Sequence, residues 1–89
     1  MMRITTWDGK TINPDNWVHE DSKGRWVIAR WLESNACYVA DMTVESRRLT
    51  GASQVRARTI DGISSSPNVK RYRSRAAAIR ALRRRFEDD

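Results

Sequence analysis

The chain has 89 residues, 39% hydrophobic and 31% charged, with 17 Lys/Arg against 11 Asp/Glu. That length is one domain with a thin core, and the apolar share is too high for a fully disordered chain. Cys37 is the single cysteine, which excludes an internal disulfide; no apolar stretch is long enough for a membrane helix, and residues 1–10 lack the apolar segment of a secretory signal. These features point to a cytoplasmic protein that contacts no membrane.

The first half reads as strands. Residues 3–7 and 10–12 are β-prone and flank Asp8 and Gly9, a pair that signals a tight hairpin because glycine supplies the positive φ of a type I′ turn. Pro14 then breaks the chain. Residues 17–20, a turn at 21–24 and residues 25–32 form a second unit. Alternation in its second arm puts Trp26, Ile28 and Arg30 on one face, and Arg25, Val27, Ala29 and Trp31 on the other. Residues 36–45 alternate again, with Tyr38, Ala40, Met42 and Val44 on one face, as in a half-buried antiparallel strand.

Residues 46–53 fit either a bent continuation of that strand or a short helical turn. Residues 54–60 read as a fourth strand, with Arg56 and Arg58 opposite Val55, Ala57 and Thr59. Residues 61–68, rich in serine with Gly62 and Pro67, read as a loop, and each of the four glycines as a turn residue. Ser74 is an N-cap signal. Beyond it, Ala78, Ile79, Leu82 and Phe86 fall on one helical stripe, with Arg80 and Arg84 opposite and Arg83 and Arg85 beside it. The predicted architecture is α+β: a single small domain, residues 1–60 mostly β, residues 61–69 a loop. One antiparallel sheet of 4–5 strands carries an amphipathic basic helix over residues 74–87, packed on one face. Four tryptophans (Trp7, Trp17, Trp26 and Trp31) are many for such a domain, and at least two are expected to be structural.

Catalytic chemistry finds little support. No Gly-rich phosphate loop is present, and one His with one Cys cannot assemble a zinc site. Cys37 with His19 is a conceivable nucleophilic pair, but Cys37 sits in a strand pattern suited to a small core residue. The carboxylates Asp8, Asp15, Glu20 and Asp21 look like ordinary surface acids. The expectation is a non-enzymatic binding protein without cofactor or metal.

Charge is unevenly spread. Residues 1–45 carry five Lys/Arg against seven Asp/Glu, and residues 46–89 carry twelve against four. Such asymmetry suggests an anionic partner for the second half, unless the two halves neutralise each other. Fourteen of the basic residues are arginine, whose planar fork suits phosphate. Like-charge pairs such as Arg80 with Arg84 cost a helix about 0.2–0.5 kcal/mol. The macrodipole returns a similar amount near the C-terminus, and Glu87, Asp88 and Asp89 provide acidic partners, so the helix needs no external anion.

Three functions follow. The favoured one is binding of nucleic acid (DNA or RNA) or a ribonucleoprotein. Arg71, Arg73, Arg75, Arg80, Arg83, Arg84 and Arg85 would contact phosphates, Arg47, Arg48, Arg56 and Arg58 would extend the patch, and Tyr72 and Trp31 are candidate stacking rings. The second is a phage-type accessory inhibitor that docks on a nucleic-acid-binding host protein complex, since Trp and Arg are favoured hot-spot residues. The third is a homodimer joining the acidic half of one copy to the basic half of another. In arrangement, the antiparallel strands followed by a helix opening at residues 72–78 resemble the arm-binding domains of phage integrases, which lay a sheet face in the DNA major groove. The long 61–68 segment departs from the tight turns of that family, and no functional residue is carried over.

Overall fold

A computed structural model describes residues 3–5 and 8–87. Thr6, Trp7 and the side chains of Glu87, Asp88 and Asp89 lie outside the described residues, so the strand end and acidic tail read there are not placed. The elements in order are β1 (Ile4–Thr5), β2 (Thr11–Ile12), a 3-10 turn (Pro14–Asn16), β3 (Val18–Glu20), β4 (Trp26–Ile28) and β5 (Arg30–Leu32). A second 3-10 turn (Glu33–Asn35), β6 (Cys37–Asp41), α1 (Val44–Thr50), β7 (Gln54–Ala57), α2 (Ile60–Ser64) and α3 (Arg75–Glu87) follow.

The class is α+β with antiparallel pairing and a C-terminal helix, but the strands do not form one sheet. They form three: β1-β2, β3-β4 and β5-β6-β7. The reason lies at two interruptions. Pro14 lacks an N–H and is buried in a turn capped by Asn13, whose side chain accepts from Asp15 N. At Ala29 the run read as one strand over residues 25–32 divides. Ala29 N donates to the Trp17 carbonyl at 2.8 Å; the chain before it pairs with β3, and the chain after it pairs with β6.

Three further readings are corrected. The observed β1-β2 register, Ile4 with Ile12 and Thr5 with Thr11, is one residue away from that of a two-residue Asp8–Gly9 turn, and it sets both isoleucines on one face. The strand read over 36–45 stops at Asp41, because Thr43 accepts a hydrogen bond from Ser46 N at 3.2 Å and opens α1. Gly51 closes α1 in the left-handed conformation at φ 76°. Part of the segment read as a loop is also helical: Thr59 accepts from Gly62 N at 3.0 Å and caps α2. Gly62 is therefore more than a turn residue. A Cβ there would come within 2.9 Å of the Ala57 Cβ, so glycine lets α2 sit close against β7.

Two cores share β4. On one face, Ile4, Val18 and Ile28 pack with Ala78, Ile79 and Leu82 of α3, with Trp17, Trp26, Tyr72 and Phe86 around them. On the other, Val27 and Ala29 pack with Ala40, Ile63 and Val69. The apolar stripe of α3 thus does what its spacing indicates, and Ser74 caps it by accepting from Ala77 N at 3.1 Å. The helix α3 packs over β1, β3 and β4. Among the described residues no helix is long and apolar enough to cross a membrane.

Asp21 ties the β3-β4 turn to α2. Its side chain is almost wholly buried, and Oδ1 accepts from Lys23 N at 2.8 Å and Arg25 N at 2.9 Å. Oδ2 accepts from the Ser64 hydroxyl and from Arg25 Nε at 3.2 Å. The Ser64 hydrogen bond, joined by those from the Arg25 and Lys23 backbone, outweighs burial and holds the carboxyl at about 2, below the ordinary 3.8. A depressed folded-state pKa stabilises the protein above the unfolded pKa, and that contribution disappears as pH falls through the folded one. Asp21→Asn is expected to lower the urea midpoint at pH 7. The gap between variant and parent should shrink as pH falls from about 4 to about 2; an unchanged gap would contradict this role.

Candidate nucleic-acid interface

The C-terminal arginines do not form one surface, because the fold uses them differently. Arg71 turns inward. Its Nη1 donates to the carbonyls of Ser64, Ser66 and Val69 at 3.0, 2.8 and 3.3 Å and so holds the segment after α2 together. It acts as a structural clamp on that segment. Arg73 is exposed ahead of α3. Arg75 is exposed and paired with Asp15. Arg80 and Arg83 flank a separate shallow concavity with Arg75, Ala76 and Ile79. Arg83 is half-buried, and its Nε has no hydrogen-bond partner among the described residues.

The end of α3 is the informative part. Arg85 reaches the three-stranded sheet and pairs with Asp41 at 3.4 Å. It stands between two grooves. The first, of about 290 Å³, lies between the sheet and the last turn of α3 and is lined by Trp17, Arg30, Asp41, Gln54, Arg85 and Phe86 among others. Directly opposed residues of antiparallel strands share a face. The register Arg30–Val39–Arg56 across β5, β6 and β7 therefore sets Arg56 on the same face as Arg30. The second groove, of about 470 Å³, runs between α1 and the approach to α3, lined by Thr43, Arg47, Lys70, Tyr72 and Arg85 with Asp41 at the junction. Arg84 is exposed and does not line it, though its charge acts on Tyr72.

Tyr72 is held on its backbone by a reciprocal bridge to Trp26, at 2.9 and 2.8 Å. Its ring is half-buried in the α3 core, with Lys70 Nζ 5.5 Å from the centroid. Burial raises its phenol pKa, while the nearby Arg85 and Arg84 pull the other way. It lines the second groove. Arg48 and Arg58 are exposed but line neither groove.

A third concavity, of about 410 Å³, adjoins the first and shares Trp17 and Arg30 with it; Asn16, His19, Trp31 and Tyr38 complete its wall. Trp31 is 44% exposed, and its Nε1 donates to Glu33 at 2.7 Å. Its ring meets Tyr38 edge-on at 5.0 Å, and Tyr38 meets His19 at 5.4 Å. The Arg30 guanidinium lies 5.7 Å from the centroid of the Trp17 ring. The sequence reading missed Arg30, Gln54, Lys70, His19 and Tyr38. Arg30 alternates with Trp26 and Ile28, which looks like a core face. Nothing local marks where that face emerges from under α3.

Cys37 is buried in β6, as a small core residue would be. Among the described residues no group of three or more His, Cys, Asp or Glu could hold a metal ion. Comparison with protein-family models, with curated proteins and with solved structures finds no match for this chain.

The division between clamp and surface arginines is testable. Arg71→Ala removes the donor shared by three part-buried carbonyls and should destabilise by about 1–3 kcal/mol. Arg84→Ala should stay within about 0.5 kcal/mol of the parent. Chemical denaturation of both variants measures the contrast; equal effects would refute it.

Proposed function

We propose that this chain is a small non-enzymatic protein that binds nucleic acid through the basic grooves on either side of Arg85. One observation carries this reading. Cations from four separate parts of the chain converge there: Arg30 from β5, Arg47 from α1, Lys70 ahead of α3, and Arg85 from α3. Asp41 is the one carboxylate among the residues lining the two grooves. Cations spaced along a groove suit a phosphate backbone, whose binding is dominated by charge neutralisation. Gln54 and Thr43 add neutral hydrogen-bonding groups along the same track.

Fluorescence anisotropy with labelled oligonucleotides over a salt series tests the proposal. Binding should weaken steeply with salt. An Arg47→Ala/Lys70→Ala variant should bind more weakly regardless of sequence, and its salt slope should fall by about 1 for each phosphate left without its cation. Arg48→Ala should bind like the parent. Absence of binding to every nucleic acid at about 50 mM salt, where several phosphate contacts give measurable affinity, would overturn the reading.

Asp41 supplies a test of opposite sign. Its pair with Arg85 is exposed and worth only about 0–1 kcal/mol of stability. Asp41→Asn should therefore fold normally while removing a negative charge from the groove, and so bind more tightly. Weaker binding would place the phosphate track elsewhere.

A second reading, an accessory protein that docks on a protein complex, is favoured by α1, where Val44 is 57% and Leu49 81% exposed. A pull-down with and without nuclease separates the two: partners retained after nuclease support protein docking.

A further inference from the structure

We infer that the ligand is single-stranded, and that the concavity walled by Asn16, Trp17, His19, Arg30, Trp31 and Tyr38 receives an unpaired base. This rests on the nucleic-acid reading of the adjoining grooves and adds a ligand class to it. Trp31 is an unusual surface residue, a large ring 44% exposed in a chain with few apolar residues to spare. It is also held in place. The Nε1–H bond to Glu33 at 2.7 Å and the edge contact with Tyr38 at 5.0 Å fix the indole. Tyr38 is itself braced by His19 at 5.4 Å. A ring held this way loses little conformational freedom on binding and offers a base a preformed surface.

The neighbouring charges set the direction. Arg30 belongs both to this concavity and to the phosphate groove. A phosphate held at Arg30 leaves its own nucleoside beside Trp31 and Tyr38. Glu33, fixed on the outer edge of the Trp31 ring, repels a backbone passing on that side and favours the path toward Arg30 and Arg85. Stacking needs an exposed base face, which paired and stacked bases in a duplex do not offer. Aromatic surface beside a basic groove is the combination used for single strands, because every base has a π-face while phosphate contacts track the backbone.

The experiment compares four labelled probes of about 12 nucleotides by anisotropy: oligothymidylate, oligouridylate, a duplex, and an abasic strand of equal charge. The parent protein should bind the single strands more tightly than the duplex or the abasic strand. Trp31→Ala should cost about 5- to 150-fold on the single strands and leave the duplex and abasic strand almost unchanged. Trp31→Phe should retain most of the preference, and Arg85→Ala should weaken all four alike. Thermal melts of the Trp31 variants establish that they are folded. Equal affinity of the parent for oligothymidylate and the abasic strand would overturn the base pocket while leaving the phosphate groove standing. So would a Trp31→Ala loss that is equal for all probes. Failure of every probe to bind would remove the nucleic-acid reading itself, and this inference with it.

Discussion

Burial of β4 on both faces is the constraint from which the rest of the structure follows. Val27 faces the core under α2, and Ile28 faces the core under α3, at 0% and 6% exposure. Fully burying such side chains is worth about 1.5–3 kcal/mol each, so a strand of three residues gains much only if both faces are covered. Its backbone is paired on both edges as well, by β3 along its length and by Tyr72 at Trp26. The helix α3 must then close one side, while α2, with β6 and β7, closes the other. Asp21 sets the position of α2 by receiving the Ser64 hydroxyl. Beyond Ala29 the chain changes partner from β3 to β6. It leaves the core as β5, and its first residue, Arg30, comes out at the surface beside the end of α3.

The same geometry redistributes charge. Two of the ion pairs, Asp15 with Arg75 and Asp41 with Arg85, join the acidic first half to the basic second half. Exposed pairs of this kind add little stability, so their main consequence is to orient arginines. Arg71 is taken up by three backbone carbonyls. Part of the charge asymmetry is therefore used inside the fold. Arg30, Arg47, Lys70 and Arg84, drawn from distant parts of the chain, form no ion pair among the described residues.

The aromatic residues divide in a similar way. Trp17 and Trp26 pack against the α3 core, and Trp17 meets Phe86 edge-on at 5.6 Å. Trp31 sits two residues past the point where the shared strand leaves the core, and its ring is presented rather than covered. Cations and an exposed ring thus come together because the chain emerges there, with Arg30 common to both.

Features set by neighbours in sequence were legible without coordinates. Ser74 and the stripe Ala78, Ile79, Leu82 and Phe86 define α3 through its own periodicity. The alternation of Trp26, Val27 and Ile28 assigned the two faces of β4, and that of Val55 and Arg56 the two faces of β7. What required the tertiary structure depends on partners far along the chain. The Ser64 hydroxyl meets a carboxylate 43 positions away, and Ile63 is buried only because Val27, Ala29 and Ala40 are across from it. In sequence, that segment shows Ile63 alone among three serines, Asp61, Gly62, Pro67 and Asn68, as a loop would. Arg71 and Arg85 look alike in sequence. One lies within reach of three backbone carbonyls, and the other within reach of an acid on β6. An arginine's long side chain takes its role from what lies around its far end, and folding alone determines that.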